Sequence, residues 1–304
     1  MMTTKAGMAT SMRRHFGYEE RTAYLFIAPV MAVLGLVAVF PIAYSFYLSF
    51  FQIKLTRPNR TPFVWLDNYL ELFGDQLFWT AVLRTVSFTV MSVTAITFLA
   101  LLAALLLNET FRGRRLVSTV LLIPWAIPYV ADALMWKWIY DSGYGALNGL
   151  LYQLGFIDKY MIWLGDQHKT LPLIANAFVW KEVPLATILL LVSLKSIPAD
   201  LYQAARVDGA PLWQRFIHVT LPSMRTGFML VMIYETMMAI RHFDLFFILT
   251  EGGPGTASHV LSWEIYVETF RNLSFGTGAA MSYLLALVTF ALAYFIIRTL
   301  GRSI

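Results

Sequence analysis

Long uncharged hydrophobic runs occur at three places along the chain. They extend from Thr22 to Ile53, from Thr85 to Asn108 and from Asn272 to Ile297, without Asp, Glu, Lys or Arg. Each run exceeds the roughly 20 residues that an α-helix needs to cross about 30 Å of hydrocarbon. The pattern therefore predicts three membrane-spanning helices.

Three further apolar stretches are long enough to span a bilayer but carry charged side chains. They extend from Leu116 to Tyr140, from Leu171 to Leu194 and from Thr226 to Leu249. Their charged or titratable residues are Asp132, Lys137, Lys181, Glu182, Glu235, Arg241, His242 and Asp244. Burial in a soluble core is the alternative, but no soluble segment of the chain is large enough to bury them. The sequence therefore predicts an all-α integral membrane protein with six transmembrane helices.

The composition supports this class. Of 304 residues, 58% are hydrophobic and 13% are charged, and the mean hydropathy of +0.63 exceeds what a soluble domain can bury. The first run is too long for a signal peptide and no small-residue cleavage site follows it, so we expect it to stay as an anchor. With no cysteine and five scattered histidines, the sequence predicts no disulfide and no metal site.

The formal net charge of +5 reflects orientation in a membrane rather than nucleic-acid binding. With six spans and the N-terminus inside, thirteen Lys and Arg residues fall on inner segments and six on outer loops. The inner residues are Lys5, Arg13, Arg14, Arg21, Arg112, Arg114, Arg115, Lys195, Arg206, Arg215, Arg225, Arg298 and Arg302. The outer residues are Lys54, Arg57, Arg60, Lys159, Lys169 and Arg271. Because basic residues favour the cytoplasmic side, we expect both termini in the cytoplasm and lipid around the helices.

The chain is organised as one transmembrane domain over residues 1–304. It comprises a short polar tail at 1–20 and a six-helix core at 22–299. The inner connection from Glu109 to Arg115 is a minimal basic turn, whereas the one from Lys195 to Arg225 is much longer. No outer loop is long enough to form a domain of its own.

The longer inner connection contains the segment 196–222, SIPADLYQAARVDGAPLWQRFIHVTLP. Pro198 suits the first turn of a helix, Asp208 with Gly209 supplies a stop where positive φ costs little, and Pro211 opens a second helix. These proline and glycine positions predict a helix-turn-helix on the cytoplasmic side.

This helix pair carries apolar side chains on a loop surrounded by water. Leu212 with Phe216, and Trp213 with Ile217, have the i, i+4 spacing of one helix face. Either a partner protein covers them, or the helices lie on the membrane surface or fold back on their own bundle. The residues alone leave both interpretations open.

Segment 196–222 resembles the coupling loop of binding-protein-dependent ABC importer permeases. The family pattern has Glu-Ala-Ala, a three-residue gap, Gly and a terminal Leu-Pro, and the matching residues are Ala204, Ala205, Asp208, Gly209, Ala210, Phe216, Leu221 and Pro222. Gln203 departs from the pattern, since glutamate is usual there. The resemblance implies contact with an ATPase subunit through Gln203, Ala204, Ala205, Asp208, Gly209, Leu212, Trp213 and Phe216, with only a neutral hydrogen bond from Gln203.

Weaker matches extend over nearly the whole chain and are similar to sugar-type permeases, in particular the larger membrane subunit of maltose-type importers. They are Leu25, Phe26, Ala28, Pro29, Asn68, Tyr69, Phe111, Arg112, Gly113, Arg114, Pro124, Trp125, Pro128, the run FDLFFILTEGGPG from Phe243 to Gly255, Tyr266, Phe270, Phe275, Gly276 and Ala279. Two positions depart: Trp65 stands where Gly is usual and Arg84 where Asn is usual.

The resemblance also implies an assembly. No GxxxxGK[ST] phosphate loop occurs in the sequence, so we expect no ATPase activity and no cofactor on this chain. ATP and Mg²⁺ would bind two partner ATPase subunits, beside a second related permease and an extracytoplasmic solute-binding protein. The chain would then be a permease subunit in a prokaryotic cytoplasmic (inner) membrane, forming half of a pathway for a carbohydrate or related solute.

Charged residues in the third, fourth and fifth helices predict where the pathway lies, since charge in hydrocarbon is costly unless it faces protein or water. Val231, Glu235, Met238 and His242 follow i, i+4, i+7, i+11 and define one stripe. With them we group residues that suit sugar hydroxyls or flat sugar faces: Tyr234, Asn176, Trp180 and Lys181. The alternative is structural, with Lys181 paired to Asp132 or Glu235, and Arg241 to Asp244.

One other class is compatible with part of the sequence, and a second is disfavoured. An ion-coupled secondary transporter of a small polar solute would also carry intramembrane carboxylates such as Asp132 or Glu235, but it would not need segment 196–222. A membrane enzyme would need a cluster such as HExxH or GxSxG, which the sequence lacks. The sequence does not name the solute, and Arg84 with Lys181 leaves an anionic sugar open.

Overall fold

The computed structural model describes residues 21–300, which form α-helices joined by short connections, with no strand in that range. The tail predicted at residues 1–20 lies outside the described residues. The first helices are α1 (Arg21–Leu48), α2 (Asp67–Gly74), α3 (Gln76–Asn108), α4 (Arg114–Ala126), α5 (Tyr129–Ile139) and α6 (Ala146–Gln153). They are followed by α7 (Thr170–Lys195), α8 (Ala199–Val207), α9 (Leu212–Ser223), α10 (Arg225–Ile240), α11 (Asp244–Leu249), α12 (Leu261–Tyr266) and α13 (Phe275–Leu300).

Four helices, α1, α3, α7 and α13, are long and apolar enough to cross a membrane. Two bent pairs raise the number of spans to as many as six if each pair is one span: α4 with α5, bent by 99°, and α9 with α10, bent by 61°. The all-α membrane class is therefore confirmed for the described residues. The uninterrupted third and fifth spans that the hydropathy pattern suggested are not.

Proline explains the break in the third span. Ile127 has extended backbone (ψ 131°), and Pro128 lies at ψ 145° before α5 begins. Proline has no backbone N–H and disfavours helical geometry in the residue before it, so α4 cannot continue through this point. The predicted fifth span differs too: α10 ends at Ile240, and a short break precedes α11.

The core lies where α3 and α7 pack along each other and meet α10 and α11. The ring centroid of Phe88 lies 5.4 Å from that of Phe178 and 4.9 Å from that of Phe246. Buried alanines on both long helices, such as Ala100 and Ala177, let the backbones approach closely. In lipid such van der Waals packing holds helices together, because the tails offer no hydrophobic driving force.

The connection between α1 and α2 is fixed by two side chains of α2. Asn68 Nδ2 donates to the carbonyl oxygens of Ser49 (2.7 Å) and Phe51 (3.0 Å), and the Tyr69 hydroxyl donates to Ser49 Oγ at 2.8 Å. By contrast, no residue of α1 itself is buried. It touches α13 through Phe46 and Tyr283, whose ring centroids are 4.9 Å apart.

Candidate solute pathway and coupling surface

The break between α4 and α5 exposes backbone carbonyls inside the bundle. The first carbonyl of α5 to accept within the helix is that of Pro128, from Asp132 N at 3.0 Å, so Ile127 O lies outside the helical pattern. The buried side chain of Lys181, on α7, lies beside these carbonyls. Its Nζ donates to Ile127 O and, at 3.3 Å, to Trp125 O.

A second contact joins the same two elements beside the break. The Tyr129 hydroxyl, at the start of α5, donates to Glu182 Oε1 on α7 at 2.5 Å. The Lys181 ammonium lies 4.5 Å from the centroid of the Tyr129 ring, within the range of a cation–π interaction. Sequence analysis did not single out Tyr129; its position directly after Pro128 is the signal that could have identified it.

The ion pairs considered for Lys181 are absent. No Asp or Glu oxygen within the described residues lies within 4.0 Å of its Nζ, so neither Asp132 nor Glu235 pairs with it. The predicted pair of Arg241 with Asp244 is likewise not formed; Arg241 Nη2 instead contacts Met238 Sδ at 3.0 Å. Both predictions are wrong because sequence spacing does not show which way a side chain points once a helix breaks.

Apart from Lys181, which contacts the break between α4 and α5, the predicted pathway residues fall into two groups. Asn176 and Trp180 line a groove of about 350 Å³ bounded by α3, α4 and α7. Asn176 Nδ2 also donates to the Tyr140 hydroxyl at 2.9 Å, and the Trp180 ring meets that of Trp136 edge-on with centroids 5.8 Å apart. This side of α7 presents an amide and an aromatic face to open space.

The second group is closed off. Glu235 is 0% exposed and His242 is buried, while Tyr234 and Met238 are half-buried. Both Glu235 carboxylate oxygens, and His242 Nε2, lack a hydrogen-bond partner among the described residues. The His242 ring packs against those of Tyr129 (5.0 Å) and Phe178 (4.9 Å). The structure therefore does not join the predicted pathway residues in one open pocket.

The segment 196–222 has two helices, α8 and α9, separated by a turn at Gly209. Gly209 has φ +74°, Gly209 N donates to Arg206 O at 3.0 Å, and Ala210 N donates to Ala205 O at 2.9 Å. These bonds satisfy the last carbonyls of α8 as in a Schellman-type cap. The hydroxyls of Tyr202 and Thr220 lie 3.0 Å apart and join the two helices.

The turn presents an apolar surface that the described residues do not cover. Val207 is 88% exposed, Leu212 77% and Trp213 60%. Gln203, Ala204 and Asp208 are also exposed, whereas Ala205 and Phe216 are half-buried. We call Val207, Leu212 and Trp213 the apolar tip. The helices do not fold back over these side chains, so a partner protein or the membrane surface is left to cover them. The membrane side on which the apolar tip lies stays a prediction.

Side chains that the sequence motif did not reveal stabilise the loop between α11 and α12. Ser258 is buried, and its Oγ donates to Gly253 O at 2.7 Å, which closes the glycine-rich turn. Arg271 Nη2 donates to Glu251 Oε2 at 2.6 Å, and Arg271 Cζ lies 4.9 Å from the centroid of the Trp263 ring. The hydrogen bond and charge of Glu251 raise the pKa of the Arg271 guanidinium.

Comparison with known proteins gives this architecture a family. Residues 96–302 match the family described as binding-protein-dependent transport system inner membrane component. The chain is 37% identical over 279 residues to the trehalose/maltose transport system permease protein of Thermococcus litoralis, covering 91% of this chain and 93% of the relative. It is 35% identical to the sulfoquinovosyl glycerol transport system permease protein of Agrobacterium fabrum, covering 89% and 86%.

Solved structures agree at the level of the fold. A bacterial ABC transporter involved in the import of alginate contains a chain that superposes with a TM-score of 0.81 at 22% identity, covering 95% of this chain and 99% of that one. The match over most of the chain, together with relatives above 30% identity, identifies this protein as a member of the family of binding-protein-dependent transport system inner membrane components.

Proposed function

We propose that the chain is the permease subunit of an ATP-driven importer for a carbohydrate or a related solute, and that it forms half of the pathway. The apolar tip carries this proposal, because its three side chains are exposed at the turn between α8 and α9. A secondary transporter, which works without a motor subunit, has no use for such a surface. Relatives named for trehalose, maltose and sulfoquinovosyl glycerol transport support the carbohydrate class.

The proposed assembly contains a second related permease, two ATPase subunits that bind ATP and Mg²⁺, and an extracytoplasmic solute-binding protein. The apolar tip with Gln203, Ala204, Ala205, Asp208, Gly209 and Phe216 would contact an ATPase subunit on the cytoplasmic side. A related structure, in which an alginate ABC transporter is in complex with a pentasaccharide-bound periplasmic protein, supports the binding-protein partner.

The proposed pathway uses both groups of polar residues. Asn176 and Trp180 already face open space, whereas Tyr234, Glu235, Met238 and His242 would become accessible in a conformation in which the helices packed around them separate. The unpartnered oxygens of Glu235 and the free Nε2 of His242 would then accept hydrogen bonds from solute hydroxyls.

Uptake into proteoliposomes tests the proposal. Reconstituted with the second permease, the ATPase subunits and the binding protein of the proposed assembly, the chain should import radiolabelled trehalose or maltose only when ATP is inside the vesicle and the binding protein outside. A protonophore should not change the initial rate. Uptake by this chain alone, driven by a proton or sodium gradient, would show a secondary transporter instead.

A further inference from the structure

Lys181 is the charged side chain nearest the break between α4 and α5, and it forms no ion pair with the described residues. Lys181 Nζ has no acidic oxygen within 4.0 Å among residues 21–300, yet the side chain is buried. An unpaired ammonium in a protein interior is costly unless its donors are satisfied. Two carbonyl oxygens, those of Trp125 and Ile127, satisfy them here.

The same carbonyls need Lys181. Trp125 lies in the last turn of α4 and Ile127 lies between the two helices, where helix geometry supplies no N–H partner. A buried carbonyl without a partner costs free energy comparable to a lost hydrogen bond. The lysine and the broken span therefore compensate each other, since each would be unsatisfied alone.

We propose that Lys181 is a positioning residue. Its ammonium donates to the carbonyls left free at the break between α4 and α5 and so fixes the direction of α5, without contacting solute. The direction of α5 matters because this helix packs against α11, and its first residue, Tyr129, lies against His242. By fixing α5, Lys181 fixes the position of Tyr129 against His242, although Lys181 is not itself a member of the closed-off group of Tyr234, Glu235, Met238 and His242. The Tyr129–Glu182 hydrogen bond provides a second link between α5 and α7.

Spin labels can measure the direction of α5, because the chain has no native cysteine. Cysteines replace Lys137, exposed in the last turn of α5, and Val192, exposed near the end of α7. Double electron–electron resonance then gives their distance distribution in the assembled transporter in nanodiscs, without solute or ATP. Lys181→Met should shift or broaden that distribution, whereas Lys181→Arg, which keeps charged donors, should stay closer to the parent.

A control pair at Ser87 on α3 and Val192 on α7 should give one distribution in all variants, since these helices pack along their length. A lysine that only contacted solute would leave the first distance unchanged in solute-free protein. An unchanged distribution in Lys181→Met therefore overturns the proposal. Neither measurement uses transport, so that result would leave the proposed function intact.

A double-mutant cycle tests the link to the break itself. Pro128→Ala restores a backbone N–H and lets the span continue, so carbonyls can find backbone donors. The loss in thermal unfolding midpoint caused by Lys181→Met should then be smaller in the Pro128→Ala background than in the parent. Equal losses in both backgrounds would contradict the proposal. If Lys181→Met alone fails to insert, Pro128→Ala must restore insertion, and failure to do so would contradict it as well.

Discussion

Glu235 is a buried carboxylate that the surrounding described residues do not satisfy. It is 0% exposed, and neither of its oxygens has a hydrogen-bond partner there. A buried polar group without a partner lowers the stability of a fold by about 1–3 kcal/mol. The side chain therefore does not stabilise this conformation, which favours a role in a conformation where it meets another group.

Replacing Glu235 distinguishes a role in stability from a role in transport. Glu235→Met keeps the approximate size of the side chain and removes the unsatisfied oxygens, so the thermal unfolding midpoint should stay equal or rise. Uptake should fall about tenfold or more, since a hydrogen bond to a charged group contributes roughly 1.5–3 kcal/mol and a factor of ten is about 1.4 kcal/mol. Differential scanning fluorimetry and initial uptake rates provide the two measurements.

The matched control is Glu71→Gln on α2, where the side chain is exposed and both properties should be unchanged. Normal uptake together with a lowered midpoint in Glu235→Met would mean that the carboxylate is structural.

Single residues also show how far the sequence could predict the site. Trp65, noted as a departure where Gly is usual, has φ +51°, a conformation that glycine adopts without steric cost. The departure thus marks a backbone position rather than a lost contact. The partner of Lys181 could not be predicted, because backbone carbonyls become available only where a helix breaks and leave no side-chain signature in the sequence.

The element that the sequence described best is the turn between α8 and α9. Asp208, Gly209 and Pro211 predicted its place, and Gly209 has the positive φ that this reasoning required. A Cβ at Gly209 would have no atom within 4 Å, so a side chain is disfavoured there by backbone strain and not by a clash. Substitutions at Gly209 therefore test the effect of backbone strain alone.

Gly209→Val should uncouple the transporter. A β-branched residue at φ +74° costs about 1–3 kcal/mol, which the turn can relieve by tilting α9 and displacing the apolar tip. We expect normal insertion in the membrane, loss of ATP-driven uptake and poor co-purification with the ATPase subunit.

Gly209→Asn is the control for this substitution, since asparagine tolerates the left-handed conformation and should retain most of the uptake. Gln203→Glu, which restores the usual family residue at an exposed position, should also be tolerated. Parental uptake and ATPase association in Gly209→Val would contradict a coupling role for this turn.

Helix boundaries were less predictable than the turn. Hydropathy alone cannot distinguish an unbroken span from two helices meeting at 99°, because both arrangements contain the same residues and so have the same mean hydropathy. Pro124 and Pro128 were visible, but Pro124 lies inside α4 while Pro128 ends the helical run. Proline can kink a helix or stop it, and the outcome depends on whether another group, here Lys181, satisfies the freed carbonyls.

The described molecule, taken as a whole, leaves much of its apolar surface uncovered. No residue of α1 is buried, and large side chains such as Phe26, Leu36 and Phe290 are more than two-thirds exposed. Lipid and a second permease are the surroundings that would cover such surfaces. Hydropathy predicted that a bilayer must surround the chain, but it carries no information on which helix faces lipid and which faces a subunit.

Orientation in the membrane is the remaining property of the whole molecule, and single cysteines test it. The excess of Lys and Arg on the segments assigned to the inner side predicts that Ser196, which is exposed just after α7, lies in the cytoplasm. Ser258 on the outer side is unsuitable as a label site because it is buried, whereas neighbouring Thr256 is exposed. In intact spheroplasts an impermeant maleimide should label Thr256→Cys at once, but Ser196→Cys only after the membrane is permeabilised. The parent chain supplies the blank, since it contains no cysteine. Labelling of Ser196→Cys from outside would invert the predicted topology and remove segment 196–222 from any cytoplasmic ATPase.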